Sequence, residues 1–263
     1  MKRMFLIILA IGLAGALPAS ADEWSKTYNV NGKPELRVET SDANIRVTTW
    51  DQKTIAAKVT TSRYKIGEGG VHIEEHQTGD SVDIEVRFPH HNFNFDFGSH
   101  RVDITIQMPR EGDVNLKTGD GRVELTGLKG EMNLHSGDGS EVIDSVDGRL
   151  TATTGDGHIE ASGRFDELTL KTGDGHLDVH AGSGSSMAGG WRLESGDGSV
   201  SLSVPESLAA DVDLHTGDGH IDLEMPITTA GKLRQNEIRG KLNGGGGLLT
   251  IRTGDGSIHL AKS

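Results

Sequence analysis

No cysteine occurs anywhere in the 263 residues, and that absence removes three kinds of explanation: a disulfide framework, a thiolate metal or catalytic site, and a lipid-modified cysteine at an export cleavage site. The fold must hold by packing and hydrogen bonds alone. Aromatic residues make up only 4% of the chain and proline only 6 residues, so aliphatic side chains must build the core and something other than proline must build the turns. Positive charge is also scarce, with 26 Lys and Arg against 39 Asp and Glu. Without residues 1–21, which carry Lys2 and Arg3 and no acid, the balance is 24 − 39 = −15. A charge of that sign repels nucleic acid and anionic headgroups, so no nucleic-acid partner is expected.

Long apolar runs are nearly absent as well. The one example, Phe5 to Leu17, is about thirteen residues, shorter than the ~20 that span a bilayer. It follows Met1-Lys2-Arg3 and leads into Pro18-Ala19-Ser20-Ala21, the small-x-small pattern of a signal peptide cut after Ala21. The expectation is an exported chain in the periplasm, on the outer surface or secreted, with no transmembrane segment after cleavage. Nothing in the sequence indicates an oligomeric state.

What the chain has in excess is glycine, 37 residues, about twice the usual ~7%. Much of it falls in seven copies of Thr/Ser-Gly-Asp-Gly, with aspartates at Asp120, Asp138, Asp156, Asp174, Asp197, Asp218 and Asp255. The spacings are 18, 18, 18, 23, 21 and 37, which reads as a period of eighteen with two insertions and one lost motif. In the long gap, Gly240 to Gly247 is expected to supply the missing corner. Each motif is flanked by period-two alternation: Leu150/Ala152/Thr154 and Leu168/Leu170/Thr172 upstream, Ile159/Ala161 and Leu177/Val179 downstream. One such unit is two short strands with a single apolar face, which only stacking on its neighbours can bury.

The fold class that follows is all-β, a β-solenoid (β-helix-like) of stacked two-strand coils with Thr/Ser-Gly-Asp-Gly corners. The corner glycines are expected at positive φ, the aspartates to accept local backbone N–H bonds, and the Thr or Ser hydroxyl to bond to the corner backbone. Residues 22–263 read as one continuous domain, with 22–113 an irregular β section and cap and 114–263 the regular array. Strands are expected at Thr54 to Thr61, Val71 to His76, Ser81 to Phe88 and Arg101 to Met108. Glu35 to Val47 looks like a degenerate strand, corner and strand.

These residues resemble the bacterial DUF4097 or "putative adhesin" domain. The resemblance rests on Leu36-Arg37-Val38 through Asp42-Ala43-Asn44-Ile45-Arg46-Val47, Val102 to Pro109, the Thr-Gly-Asp-Gly-x-aliphatic series, and the closing Gly244 to Thr253. It implies a β-rich, solenoid-like fold in a cell-envelope protein. The family name suggests adhesion, and no catalytic residues carry over from it.

The repeat departs from several known binding and catalytic motifs. A calcium β-roll uses Gly-Gly-x-Gly-x-Asp-x-apolar-x, but aligning Gly155 and Gly157 with its glycines puts Ile159 where the ligand Asp belongs. Gly182-Ser183-Gly184-Ser185-Ser186-Met187 lacks the third glycine and the helix of a phosphate-binding turn, and reads as a loop inside the array. His72-Ile73-Glu74-Glu75-His76 has the strand alternation rather than the His-Glu-x-x-His order of a metalloprotease helix. The carboxylates leave a carbohydrate-active β-helix enzyme as an alternative, yet no departure from the repeat gathers a catalytic constellation.

Two constellations remain as candidate sites. Phe93, Phe95 and Phe97 alternate in one short stretch and read either as core under the cap or as an exposed aromatic binding strip. His158-Ile159-Glu160 and His176-Leu177-Asp178 would place His158 and Glu160 about 4.8 Å from His176 and Asp178 on the neighbouring strand, a candidate divalent-metal ladder. The same face recurs at His220-Ile221-Asp222, separated from His176 by a coil bearing Ser199 and Ser201. The functional expectation is a non-catalytic envelope scaffold or adhesin-like binding module without a cofactor. Its partner would be an envelope protein, a peptide or a polysaccharide.

Overall fold

The computed structural model describes residues 21–62, 64–89, 101–229 and 234–263. The described chain is all strand and turn. The N-terminal section holds β1 (Ala21–Asn29), β2 (Glu35–Thr40), β3 (Asn44–Trp50), β4 (Thr54–Ser62), β5 (His72–Thr78), β6 (Ser81–Arg87) and β7 (Arg101–Pro109). Next come β8 (Asp113–Thr118), β9 (Val123–Thr126), β10 (Lys129–Ser136), β11 (Glu141–Thr153), β12 (Ile159–Thr172), β13 (Leu177–Ala181), β14 (Trp191–Ser195) and β15 (Val200–Val204). The chain closes with β16 (Ala210–Thr216), β17 (Ile221–Leu223), β18 (Ile227–Thr229), β19 (Glu237–Leu242), β20 (Gly247–Thr253) and β21 (Ile258–Lys262). The expected strands of the N-terminal section are all present, shifted by a residue or two at their ends.

Strands upstream of the corners form one parallel stack and those downstream form another, with the long, bent β11 and β12 contributing one half to each. Alternation decides the two faces of each stack. In the upstream stack Leu36, Val114, Met132, Leu150, Leu168, Trp191, Leu249 and Val212 lie side by side in register, all buried. The downstream stack aligns Ile45, Val123, Glu141, Ile159, Leu177, Val200 and Ile258 in the same way. Fully burying one such aliphatic side chain is worth roughly 1.5–3 kcal/mol, and the ladder repeats that gain at every unit.

The corners are built differently from the expectation. None of the motif glycines has a positive φ; those that do, such as Gly127, Gly130, Gly148 and Gly163, lie elsewhere. The motif glycines are required by close stacking instead. A Cβ on Gly139, Gly157, Gly175 or Gly198 would overlap the carbonyl oxygen of the matching glycine one unit away. That proximity carries a backbone ladder, with the Gly173 N–H donating to Gly155 O at 2.5 Å and the Gly196 N–H to Gly173 O at 2.6 Å. The motif hydroxyls do bond to the corner backbone. Thr172 Oγ1 donates to Gly157 O at 2.9 Å and accepts the Gly175 N–H at 3.2 Å, a pattern repeated at Thr154, Ser195, Thr216 and Thr253. The motif aspartates accept no hydrogen bond among the described residues; they are exposed, in a column along the corner edge.

The stacking order departs from the sequence order at both ends. After β14 and β15 the chain runs out to β16 and β17, and only then returns so that β20 lies between β14 and β16 and β21 between β15 and β17. The Asn243 to Gly246 turn is therefore not a missing corner. It steps over the start of β16, with Asn243, Gly244 and Gly245 at positive φ and Asn243 Nδ2 donating to Glu206 O and Leu208 O. The intervening β18 and β19 form an antiparallel pair, and β19 covers the edge of β16. The N-terminal end mirrors this: β2 and β3 lie between β6/β7 on one side and β8/β9 on the other, and antiparallel β5 and β4 cover the edges of β6 and β7. A parallel stack cut off at its ends exposes unpaired backbone, and an antiparallel cover removes that liability.

Candidate functional site

The outer face of the downstream stack is set by the residue that follows each corner and by every second residue after it. Down the first of these columns run Asn44, Arg122, Ser140, His158, His176, Ser199, Ser257 and His220. Several use their side chains to tie one unit to the next. Asn44 Oδ1 accepts the Arg122 N–H at 3.0 Å, His158 Nδ1 the His176 N–H at 3.0 Å, His176 Nδ1 the Ser199 N–H at 2.9 Å, and Ser199 Oγ the Ser257 N–H at 3.2 Å. The first two histidine rings stack, with centroids 5.1 Å apart and planes 18° from parallel.

This arrangement places the histidine and acid residues that the sequence singled out. Glu160 lies beside Asp178 in register, and both are exposed. Because the Nδ1 atoms of His158 and His176 accept backbone N–H bonds, their protons are assigned to Nε2, and the stacked rings present Nε2 side by side rather than converging. Among the described residues no group of three or more His, Asp or Glu side chains is arranged to hold a metal ion. Two units, bearing Ser199 and Ser257, separate His176 from His220, not one, because β21 is inserted between β15 and β17. Phe93, Phe95 and Phe97 lie outside the described residues.

Sequence reasoning missed two features. The first is a histidine between two acids, with His259 Nδ1 at 3.1 Å from Asp222 Oδ2 and Nε2 at 3.7 Å from Glu224 Oε1. No spacing rule could find it, because β21 meets β17 only through the inserted last unit. The second is Glu141, which is fully buried in the downstream ladder between Val123 and Ile159. Neither of its carboxyl oxygens has a hydrogen-bond partner. Burial pushes its pKa up to about 8. Its signal was in the sequence: it stands where other units carry Val123, Ile159 or Leu177.

Residues 150–261 match the model of the family Toastrack DUF4097. That stretch of the chain is similar to the family. Among solved structures, a "putative adhesin" from Bacteroides fragilis NCTC 9343 superposes with a TM-score of 0.53 at 12% identity, covering 92% of this chain and 98% of that one. A "putative cell adhesion protein" from Clostridium sporogenes ATCC 15579 gives 0.45 at 16% identity, covering 93% and 100%. A "putative lipid binding protein" from Parabacteroides distasonis ATCC 8503 gives 0.35 at 13%, covering 91% and 96%. The first of these shows a shared fold, and the other two superpose too loosely to bear on the argument. No curated protein matches the chain. Among the described residues no helix is long and apolar enough to cross a membrane.

Proposed function

We propose that this chain is an exported, non-catalytic binding module, a β-solenoid of two-strand coils that presents the outer face of its downstream stack to an extended envelope polymer. The observation that carries this reading is the contrast between the two outer faces. Upstream, ion pairs tie up most of the outward charges: Arg37 and Lys117 with Glu39, Arg149 with Glu167, Arg192 with Glu194, Arg239 and Arg252 with Asp213. Downstream, from Ser140 onward, the outward positions hold one cation, Arg164, which is taken up by Asp147 and Asp166. The other positions offer Ser162, Ser199, Ser201, Ser203, Glu160, Asp178 and five histidines in columns at strand spacing.

Rows of hydroxyl, imidazole and carboxylate groups repeating every strand suit a partner that itself repeats, and a polysaccharide offers matching hydroxyls. The family and the shared fold are consistent with a binding role, and both adhesion-type names belong to those neighbours. The test is retention of envelope polysaccharides on the immobilised mature chain, with the flow-through assayed for new reducing ends. Retention without new ends is expected, with Glu160→Arg/Asp178→Arg weakening it and Thr151→Arg/Thr169→Arg on the other face leaving it intact. New reducing ends would make the protein an enzyme, and equal retention by both variants would move the site off this face.

A further inference from the structure

At its N-terminal end the same face changes character. Arg46 on β3, Arg101 at the start of β7 and Arg122 just before β9 surround a depression of ≈ 300 Å³, with Asn44, Asp103, Thr105 and Glu124 completing its wall. In a chain with so few cations, three guanidiniums here from three neighbouring strands are a local reversal of sign. The acids in the wall do not cancel them; they aim them. Glu124 holds two at once, Oε2 accepting from Arg46 Nε at 2.6 Å and Oε1 lying 2.9 Å from Arg122 Nε. Asp103 Oδ1 accepts from Arg101 Nε at 2.9 Å and from Asn44 Nδ2 at 2.8 Å. Asn44 is fixed in turn by the Arg122 N–H. Each guanidinium is thus gripped at Nε, and its terminal nitrogens have no partner among the described residues. That leaves the flat, two-pronged end that matches a carboxylate or phosphate.

We infer that this depression is an oxyanion subsite, and that it takes the isolated acidic group of an otherwise neutral saccharide. The reading rests on the saccharide-binding function proposed above and adds the charge of the ligand. Three arginines against two acids leave one net positive charge, enough for a single oxyanion. A densely charged polyanion would meet the strongly negative remainder of the molecule. An anionic membrane fits less well, because the sole large apolar side chain exposed among the described residues, Leu248, lies on the upstream stack, away from the arginines. Thr105, exposed in the wall, is placed to accept or donate to a sugar hydroxyl.

The experiment is calorimetric titration of the mature chain with galacturonosyl-galactose, neutral digalactose and inorganic phosphate, alongside sedimentation with phosphatidylglycerol vesicles. Native protein and Arg149→Gln, on the opposite face, are expected to bind galacturonosyl-galactose equally. Arg46→Gln/Arg122→Gln is expected to bind at least about tenfold more weakly with an unchanged melting temperature, the scale of one or two lost charge-assisted bonds. Should that double variant melt lower, Arg101→Gln, with its exposed side chain on a separate strand, gives the same comparison. Equal affinity in native and arginine variants would overturn the subsite while leaving saccharide binding standing. Binding of neither sugar would count against the general reading and this one together. Stronger uptake by vesicles, or binding of phosphate without galacturonosyl-galactose, would replace the saccharide with a lipid or a free anion.

Discussion

Glu141 stands between Val123 and Ile159 in an interior ladder, and the inward positions around it on β8, β9, β10 and β12 carry only uncharged side chains. With no cation to pair with, its carboxyl is held in the neutral form, and burial raises its pKa from the usual 4.5 to about 8. The sign follows directly. The folded state binds this proton more tightly than the unfolded state, so the stabilisation is complete below about pH 4.5 and is lost as pH rises through about 8. The full swing is on the order of 4–5 kcal/mol. Glu141→Leu, which restores the side-chain type of the neighbouring units, is therefore expected to melt higher than the native chain. The gap should widen by several degrees between pH 5 and pH 8.5, and a gap that stays constant across that range would show that the carboxyl is not buried neutral.

The corner glycines make a second prediction at the scale of one residue. If positive φ were the requirement at Gly175, asparagine would be tolerated there, since Asn adopts the left-handed region far more readily than Ala does. Close stacking against Gly157 O tolerates neither. Gly175→Ala and Gly175→Asn are both expected to cost about 3 kcal/mol or more in urea unfolding, while Lys171→Ala, exposed on the outer face, should change little. A mild Gly175→Asn beside a severe Gly175→Ala would restore the φ explanation.

At the scale of the strand and corner unit, the buried hydroxyl is the joint. Thr172 Oγ1 accepts from its own corner and donates to the preceding one, so Thr172→Val keeps the volume and strands the Gly175 N–H and the Gly157 carbonyl together. A loss of about 1–3 kcal/mol is expected, with Thr172→Ser largely retaining stability; equal midpoints for Val and Ser in denaturant titrations would mean that the hydroxyl contributes only shape. This unit is also where the sequence was most legible. Alternation at Leu168/Leu170/Thr172 and Leu177/Val179 shows the strands and their inward faces, because period two has one physical cause. The spacing of eighteen likewise brought His158 beside His176 and Glu160 beside Asp178. It did not reveal why the glycines are needed, since a tight turn and a close neighbour call for the same residue. It also did not reveal that the imidazole Nδ1 atoms serve the backbone of the next unit, or that Arg46, Arg101 and Arg122 converge, because that depends on which strands become neighbours.

Over the whole molecule, the order of units is the property that sequence could not disclose. Parallel neighbours are specified by side-chain fit, and the interior positions of β20 and β21 would fit several places in the stack. What decides is the need to finish the structure. The chain first lays down the end unit, covers its upstream edge with β19, and then returns through the Asn243 to Gly246 turn to place its last unit one position inside the end. A measurable inversion of stability follows. The C-terminal strands β20 and β21 each have a neighbour on both sides, whereas β17, earlier in sequence, is paired only with β21. Its Ile221 and Leu223 remain partly exposed, while Ile258 and Leu260 beside them are fully buried. Native-state hydrogen exchange is therefore expected to find the amides of Leu249–Thr253 and Ile258–Leu260 among the slowest in the C-terminal third, and those of Ile221–Leu223 among the fastest of its strand residues. Units stacked in sequence order would fray from the C-terminus, with β21 exchanging first and β17 protected, and that pattern would overturn the inserted arrangement.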